Sequence, residues 1–206
     1  MKKYSLGELL ADAITHGIGA LLSVLGLILL ILKATTFQGY LSGTIYGVCL
    51  LFLYVSSTLF HSFPEKFTRT RAVFQRLDHS GVFLLIVGTY TPIIIYALNF
   101  EKAIYYLLAM WLLTVVGIVF KSIWINKFKK MHLFIYLLMG WSVVFYWQEV
   151  YVFIKGYMVL IVLGGLAYTI GVIFYVVKFK YNHFIWHLFV IAGSVFHFIA
   201  IYQIII

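Results

Sequence analysis

Charge is what this sequence has least of. Only 10% of its 206 residues are Asp, Glu, Lys or Arg, against 64% apolar, and the mean hydropathy is +1.05. An ordinary soluble domain carries roughly 25% charged residues, so this chain cannot supply the polar surface of a water-soluble fold. Acidic residues are scarcer still, six against fifteen basic ones, for a net charge of +9. Cysteine is almost missing: Cys49 stands alone inside an apolar run, which excludes an internal disulfide. Alternation of polar and apolar positions is missing too, which excludes the strands of a membrane β-barrel. There is no low-complexity linker, no repeat and no stretch long enough for a separate soluble domain. The first apolar run exceeds a signal-peptide core, and no A-x-A-like site follows it, so it is expected to remain in the protein.

What is present is a set of seven apolar runs, at approximately 14–32, 41–61, 80–98, 103–122, 132–148, 155–177 and 184–205. Each is near the ~20 residues a helix needs to cross ~30 Å of hydrocarbon. The fifth, beginning HLFIYLLMGWSVVFYW, is the shortest. Trp111, Trp124, Trp141, Trp147 and Trp186 fall inside or at the ends of these runs, several where an interfacial aromatic belt belongs. The expected fold is an all-α membrane protein: one bundle of seven transmembrane helices over residues 1–206, with short loops, in the cell membrane.

The basic residues have an address. With the N-terminus in the cytoplasm, Lys2, Lys3, Lys66, Arg69, Arg71, Arg76, Lys121, Lys127, Lys129, Lys130, Lys178 and Lys180 all fall on the inner side. Lys33, Lys102 and Lys155 alone fall outside. Basic residues favour cytoplasmic loops, so the N-terminus is expected inside and the C-terminus outside. The same bias accounts for the +9 charge as a topology signal and a grip on anionic headgroups. A nucleic-acid partner would need a basic face on a soluble fold, and none is present.

This topology brings polar residues of three helices to one membrane depth. SSTLFHS puts Ser57 and His61 at the inner end of the second helix; RLDHSG puts Asp78 and His79 at the start of the third. HFIWH puts His183 and His187 at the start of the seventh. Residues four apart share a helix face and differ by ~6 Å in height. His61, His183 and His187 can therefore ligate one ion. Three imidazoles leave a fourth tetrahedral position open, the arrangement of catalytic zinc, and zinc lowers the pKa of a bound water to ~7. Asp78 then suits a base or orienting role and Ser57 a hydrogen-bond donor. Each residue also has a plainer reading. An interfacial histidine is commonly solvated, Ser57 can bond back to the carbonyl of Leu53, and Asp78 can cap the third helix. The shared depth is what favours a metal.

THGIGA (15–20), SSTLFHS (56–62), RLDHSGVFLLIVGTYTP (76–92) and HFIWHLFVIAGSVFHF (183–198) resemble the hallmark motifs of the bacterial hemolysin III family. That family lies within the progestin and adipoQ receptor superfamily, which includes the adiponectin receptors. The resemblance spans nearly the whole chain and implies seven helices and a zinc site. It puts the family's serine-x-x-x-histidine on Ser57 and His61, the aspartate contacting the zinc-bound water on Asp78, and the paired zinc histidines on His183 and His187. It implies a ceramidase-like hydrolase of a lipid amide or ester, with membrane lipids as partners and substrate. The family name implies a pore-forming cytolysin instead, and a sensor of membrane lipids with structural zinc is the third possibility. Two departures stand out: His79 replaces the aromatic residue that follows the aspartate in the receptors, and the receptors' large soluble N-terminal extension has no counterpart. Signalling through such a region is therefore not expected.

The remaining histidines carry weaker expectations. His16 lies near the cytoplasmic start of the first helix, from where it can approach the site, while Gly17 and Gly19 better suit close helix contact there. His197, ten residues beyond His187, lies ~15 Å deeper and about 80° round the helix, too far for the same ion. It is expected to be a buried hydrogen-bonding group, and His132 an interfacial one.

Overall fold

A computed structural model of the chain describes residues 5–125 and 127–205; Lys2, Lys3 and Ile206 lie outside the described residues. Among them are eight α-helices: α1 (Leu6–Lys33), α2 (Phe37–Ser62), α3 (Thr68–Ala97), α4 (Phe100–Ile123), α5 (Lys129–Gly140), α6 (Trp147–Ile154), α7 (Met158–Val176) and α8 (Asn182–Ile204). They make seven helical segments long and apolar enough to cross a membrane, with α5 and α6 sharing the fifth. The outer surface carries large apolar side chains in numbers that water would not tolerate. Leu21 is 74% exposed, Leu32 76% and Phe100 82%. This is a lipid-facing surface, and the chain is a multi-pass membrane protein.

The most buried span is α3, at 67%, against 17% for the fifth and sixth spans. It packs on α2, α4, α5, α6 and α8, while α1 bridges α2 and α8. Its thirty residues extend ~45 Å, longer than the ~30 Å hydrocarbon core. The excess lies at its N-terminal end, where the sequence is polar. An apolar window marks where a helix meets lipid, not where it starts. The third helix accordingly begins at Thr68, twelve residues before the apolar run. Asp78 therefore sits within its third turn and is not the cap that the run boundary suggests.

Two of the basic residues at this end bind helix termini. Arg71 donates through Nη1 to the carbonyl of Phe63 (2.6 Å) and to that of Phe60 (3.3 Å), closing α2 just beyond His61. Arg76 donates through Nε to Ser122 O (3.0 Å), at the end of α4. Cations satisfy orphaned carbonyls there and complement the helix dipole.

The fifth span is broken. After Gly140 the chain passes through a 3₁₀ turn, Ser142–Tyr146, before α6 resumes. Lipid offers backbone groups no partner, so a break must be satisfied from within the protein. Tyr90 of α3 does this: its hydroxyl donates to Gly140 O (2.6 Å) and accepts from Val143 N–H (3.3 Å).

Candidate metal centre

His61 comes from the last turn of α2, and His183 and His187 from the first two turns of α8. One nitrogen of each lies within 4.8 Å of the others. The ring centroids are 5.0 Å apart for His61–His183, 5.0 Å for His61–His187 and 4.5 Å for His183–His187. Nitrogens at ~2.0–2.1 Å from a tetrahedral zinc are about 3.4 Å apart, so small ring rotations close this set on one ion. His61 is 7% exposed, and neither of its ring nitrogens makes a hydrogen bond among the described residues. A buried imidazole nitrogen without a hydrogen bond, facing two other imidazoles, fits a metal. The triad is close enough to bind an ion.

Beside the triad, lined by His183 and His187 but not by His61, lies a cavity of about 220 Å³. Asp78, His79, Lys121, His183, His187 and His16 line its polar end. Its wall is otherwise mostly apolar, from Val82 and Ile86 of α3 to Val172 and Val190, and it extends to His197. His187 and His197 are ten residues apart on α8, so the cavity runs ~15 Å along that helix. Asp78 is partly accessible because its side chain lines this cavity. Beside it stands Ser57, fully buried, whose hydroxyl faces the Asp78 carboxyl without a hydrogen bond of regular geometry. The back-bond to Leu53 O belongs to Ser56 instead, at 3.0 Å. Lys121, 3% exposed, is the cation near Asp78.

The first helix turns its polar face to the triad. His16 stacks on His187, with centroids 3.5 Å apart and planes inclined by 13°. Asp12, 1% exposed, places Oδ2 3.5 Å from His61 Nδ1, and its backbone carbonyl lies 3.3 Å from His187 Nδ1. Glu8 accepts from Tyr181 N–H at 3.1 Å, at the start of α8. It also completes a capping box with Ser5 at the start of α1. Glu8, Asp12 and His16 form a four-residue polar period inside an otherwise apolar helix. That period was the signal that could have found Glu8 and Asp12.

The other histidines lie apart from the triad. His197 Nε2 is 3.1 Å from Ile161 O, the buried hydrogen bond expected of it. His132 is buried within the protein, 1% exposed, and packs against the Phe120 ring at 5.3 Å. The α5 segment folds back on the end of α4, which covers the imidazole. Gly19 permits the expected close contact, since a methyl group there would overlap the Tyr54 ring, whereas Gly17 has only Thr58 Cγ2 nearby at 3.7 Å.

Comparison with known proteins agrees with the motifs. The profile of the family described as Haemolysin-III related matches residues 8–198. The chain is 40% identical over 196 residues to the Hemolysin-3 homolog of Bacillus subtilis, covering 93% of this chain and 91% of that one. It is 39% identical over 199 residues to Hemolysin-3 of Bacillus cereus, covering 94% and 90%. The Monocyte to macrophage differentiation factor of Homo sapiens is 29% identical over 207 residues, covering 94% of this chain and 82% of that one. Seven spans, the motif order and a match over nearly the full length converge: the chain belongs to the haemolysin-III related family of multi-pass membrane proteins.

Proposed function

We propose that the protein is a zinc-dependent hydrolase of a membrane lipid, cleaving an amide or ester bond near the headgroup. One observation carries the reading: of three converging imidazoles, His183 and His187 line the polar end of a long, mostly apolar cavity. His61, His183 and His187 hold the ion, which supplies Lewis-acid chemistry and lowers the pKa of water. Asp78 takes the proton of the attacking water and passes it to the amine or alcohol that leaves as the C–N or C–O bond breaks, Ser57 donates a hydrogen bond to that carboxylate or to the substrate oxygen, and the apolar wall holds an acyl chain. A lipid enters with its polar linkage at the triad and its chain toward His197. With the N-terminus in the cytoplasm, the site serves the inner leaflet.

The name borne by the Bacillus relatives points to cytolysis, and the test separates the two activities. Purified protein is analysed for metals and reconstituted with a panel of lipid amides and esters, and liposome dye leakage is measured in the same preparation. About one zinc per chain is expected, lost in the triple variant His61→Ala, His183→Ala, His187→Ala, with membrane insertion retained. Asp78→Asn should keep the zinc and lower hydrolysis by ~10²–10⁴-fold, the usual cost of losing a general base. Metal-free wild type would sink the metal reading. Robust leakage indifferent to chelators and to Asp78→Asn, without cleavage of any lipid, would establish the pore instead. Zinc without either activity would leave the lipid-sensor reading.

A further inference from the structure

We propose that Asp12 is the positioning residue of the metal centre, turning two of the three ligand rings at once. Its carboxylate faces His61 Nδ1 at 3.5 Å, and its backbone carbonyl faces His187 Nδ1 at 3.3 Å. A neutral imidazole has one N–H and one lone pair. An oxygen beside Nδ1 draws the N–H there, which leaves the lone pair of both rings at Nε2 to ligate. Outer partners of this kind fix tautomer and ring orientation in metal sites. The inference rests on the metal-binding reading and adds to it a residue of a helix that supplies no ligand.

Two further contacts hold α1 where Asp12 can act. Glu8 accepts from Tyr181 N–H, tying α1 to the turn that starts α8. Tyr181 itself has φ 62°, a left-handed backbone that sets the direction of α8 just before His183. His16, one turn beyond Asp12, stacks on the His187 ring at 3.5 Å. Asp12 is 1% exposed within a membrane-spanning helix. A carboxylate in such a place is costly and is kept where it has a function. A role confined to helix packing would need neither contact to a ligand ring.

The experiment uses full-length protein in detergent, with zinc affinity measured by chelator competition and the absorption spectrum recorded with cobalt in place of zinc. Asp12→Asn keeps size and backbone carbonyl but loses the charge facing His61. It should weaken zinc binding 10–100-fold, the usual cost of an outer partner, and alter the cobalt bands. The metal-free variant should unfold at the temperature of metal-free wild type. Asp12→Glu keeps the charge and should fall between the two in affinity; it decides the matter if Asp12→Asn does not insert. Wild-type affinity with an unchanged cobalt spectrum in the variant overturns this inference alone and leaves the metal reading standing. A wild type that binds neither metal overturns both.

Discussion

A serine at position 57 and a serine at position 56 differ by 100° around α2, and that rotation separates their chemistry. Ser56 donates to the carbonyl of Leu53 and is spent on its own helix. Ser57 faces α3 and the Asp78 carboxyl. Replacing each in turn makes a matched pair of variants. Ser57→Ala should lower lipid hydrolysis about tenfold with zinc retained, since one hydrogen bond to a charged group is worth about 1.5 kcal/mol. Ser56→Ala should leave the rate unchanged. The comparison is of initial rates in the same reconstituted lipid; equal rates for the two variants would remove Ser57 from the mechanism.

Between helices, the decisive contacts are those that let α1 approach the others. A methyl group at Gly19 would overlap the Tyr54 ring, whereas at Gly17 it would meet Thr58 Cγ2 at an ordinary 3.7 Å. Gly19→Ala should therefore push α1 away from α2 and cost about 1–3 kcal/mol, the usual cost of overpacking. Asp12 and His16 ride on the same helix, so zinc affinity should fall together with thermal stability. Gly17→Ala should change neither. Thermal unfolding and zinc titration of both variants in one detergent check this; a Gly19→Ala protein with wild-type affinity would mean that α1 does not position the site.

Across the whole molecule, one end carries most of the basic residues and the triad, while the other carries the exposed ion pair Lys102–Glu149 at 2.6 Å. Glu149 is neutralised there by Lys102. The charge bias predicts an N-terminus in the cytoplasm and a C-terminus outside. A reporter that works only outside the cytoplasm should be active when fused after Ile206, and a reporter that works only inside should be silent. The reverse pattern would invert the bundle and move the proposed site to the outer leaflet.

Composition alone settled the solvent and the number of spans, because a membrane-crossing helix must be apolar over its whole length and little else is. The i,i+4 spacing of His183 and His187, with the chain direction of α2 and α8, was enough to gather the three imidazoles, since α2 ends on the side where α8 begins. Helix length was not legible in the same way: α3 runs twelve residues beyond its apolar run, because helix formation outside lipid does not depend on hydropathy. Nor was the break after Gly140, which persists only because Tyr90, fifty residues away, satisfies the freed backbone. The contribution of α1 depended on packing most of all. Glu8, Asp12 and His16 share one face by their spacing, but nothing in the spacing says which helices that face meets. Tertiary structure decided that it lies against His61, His187 and Tyr181, because only close approach at small residues such as Gly19 brings a helix without ligands within reach of the ligand rings.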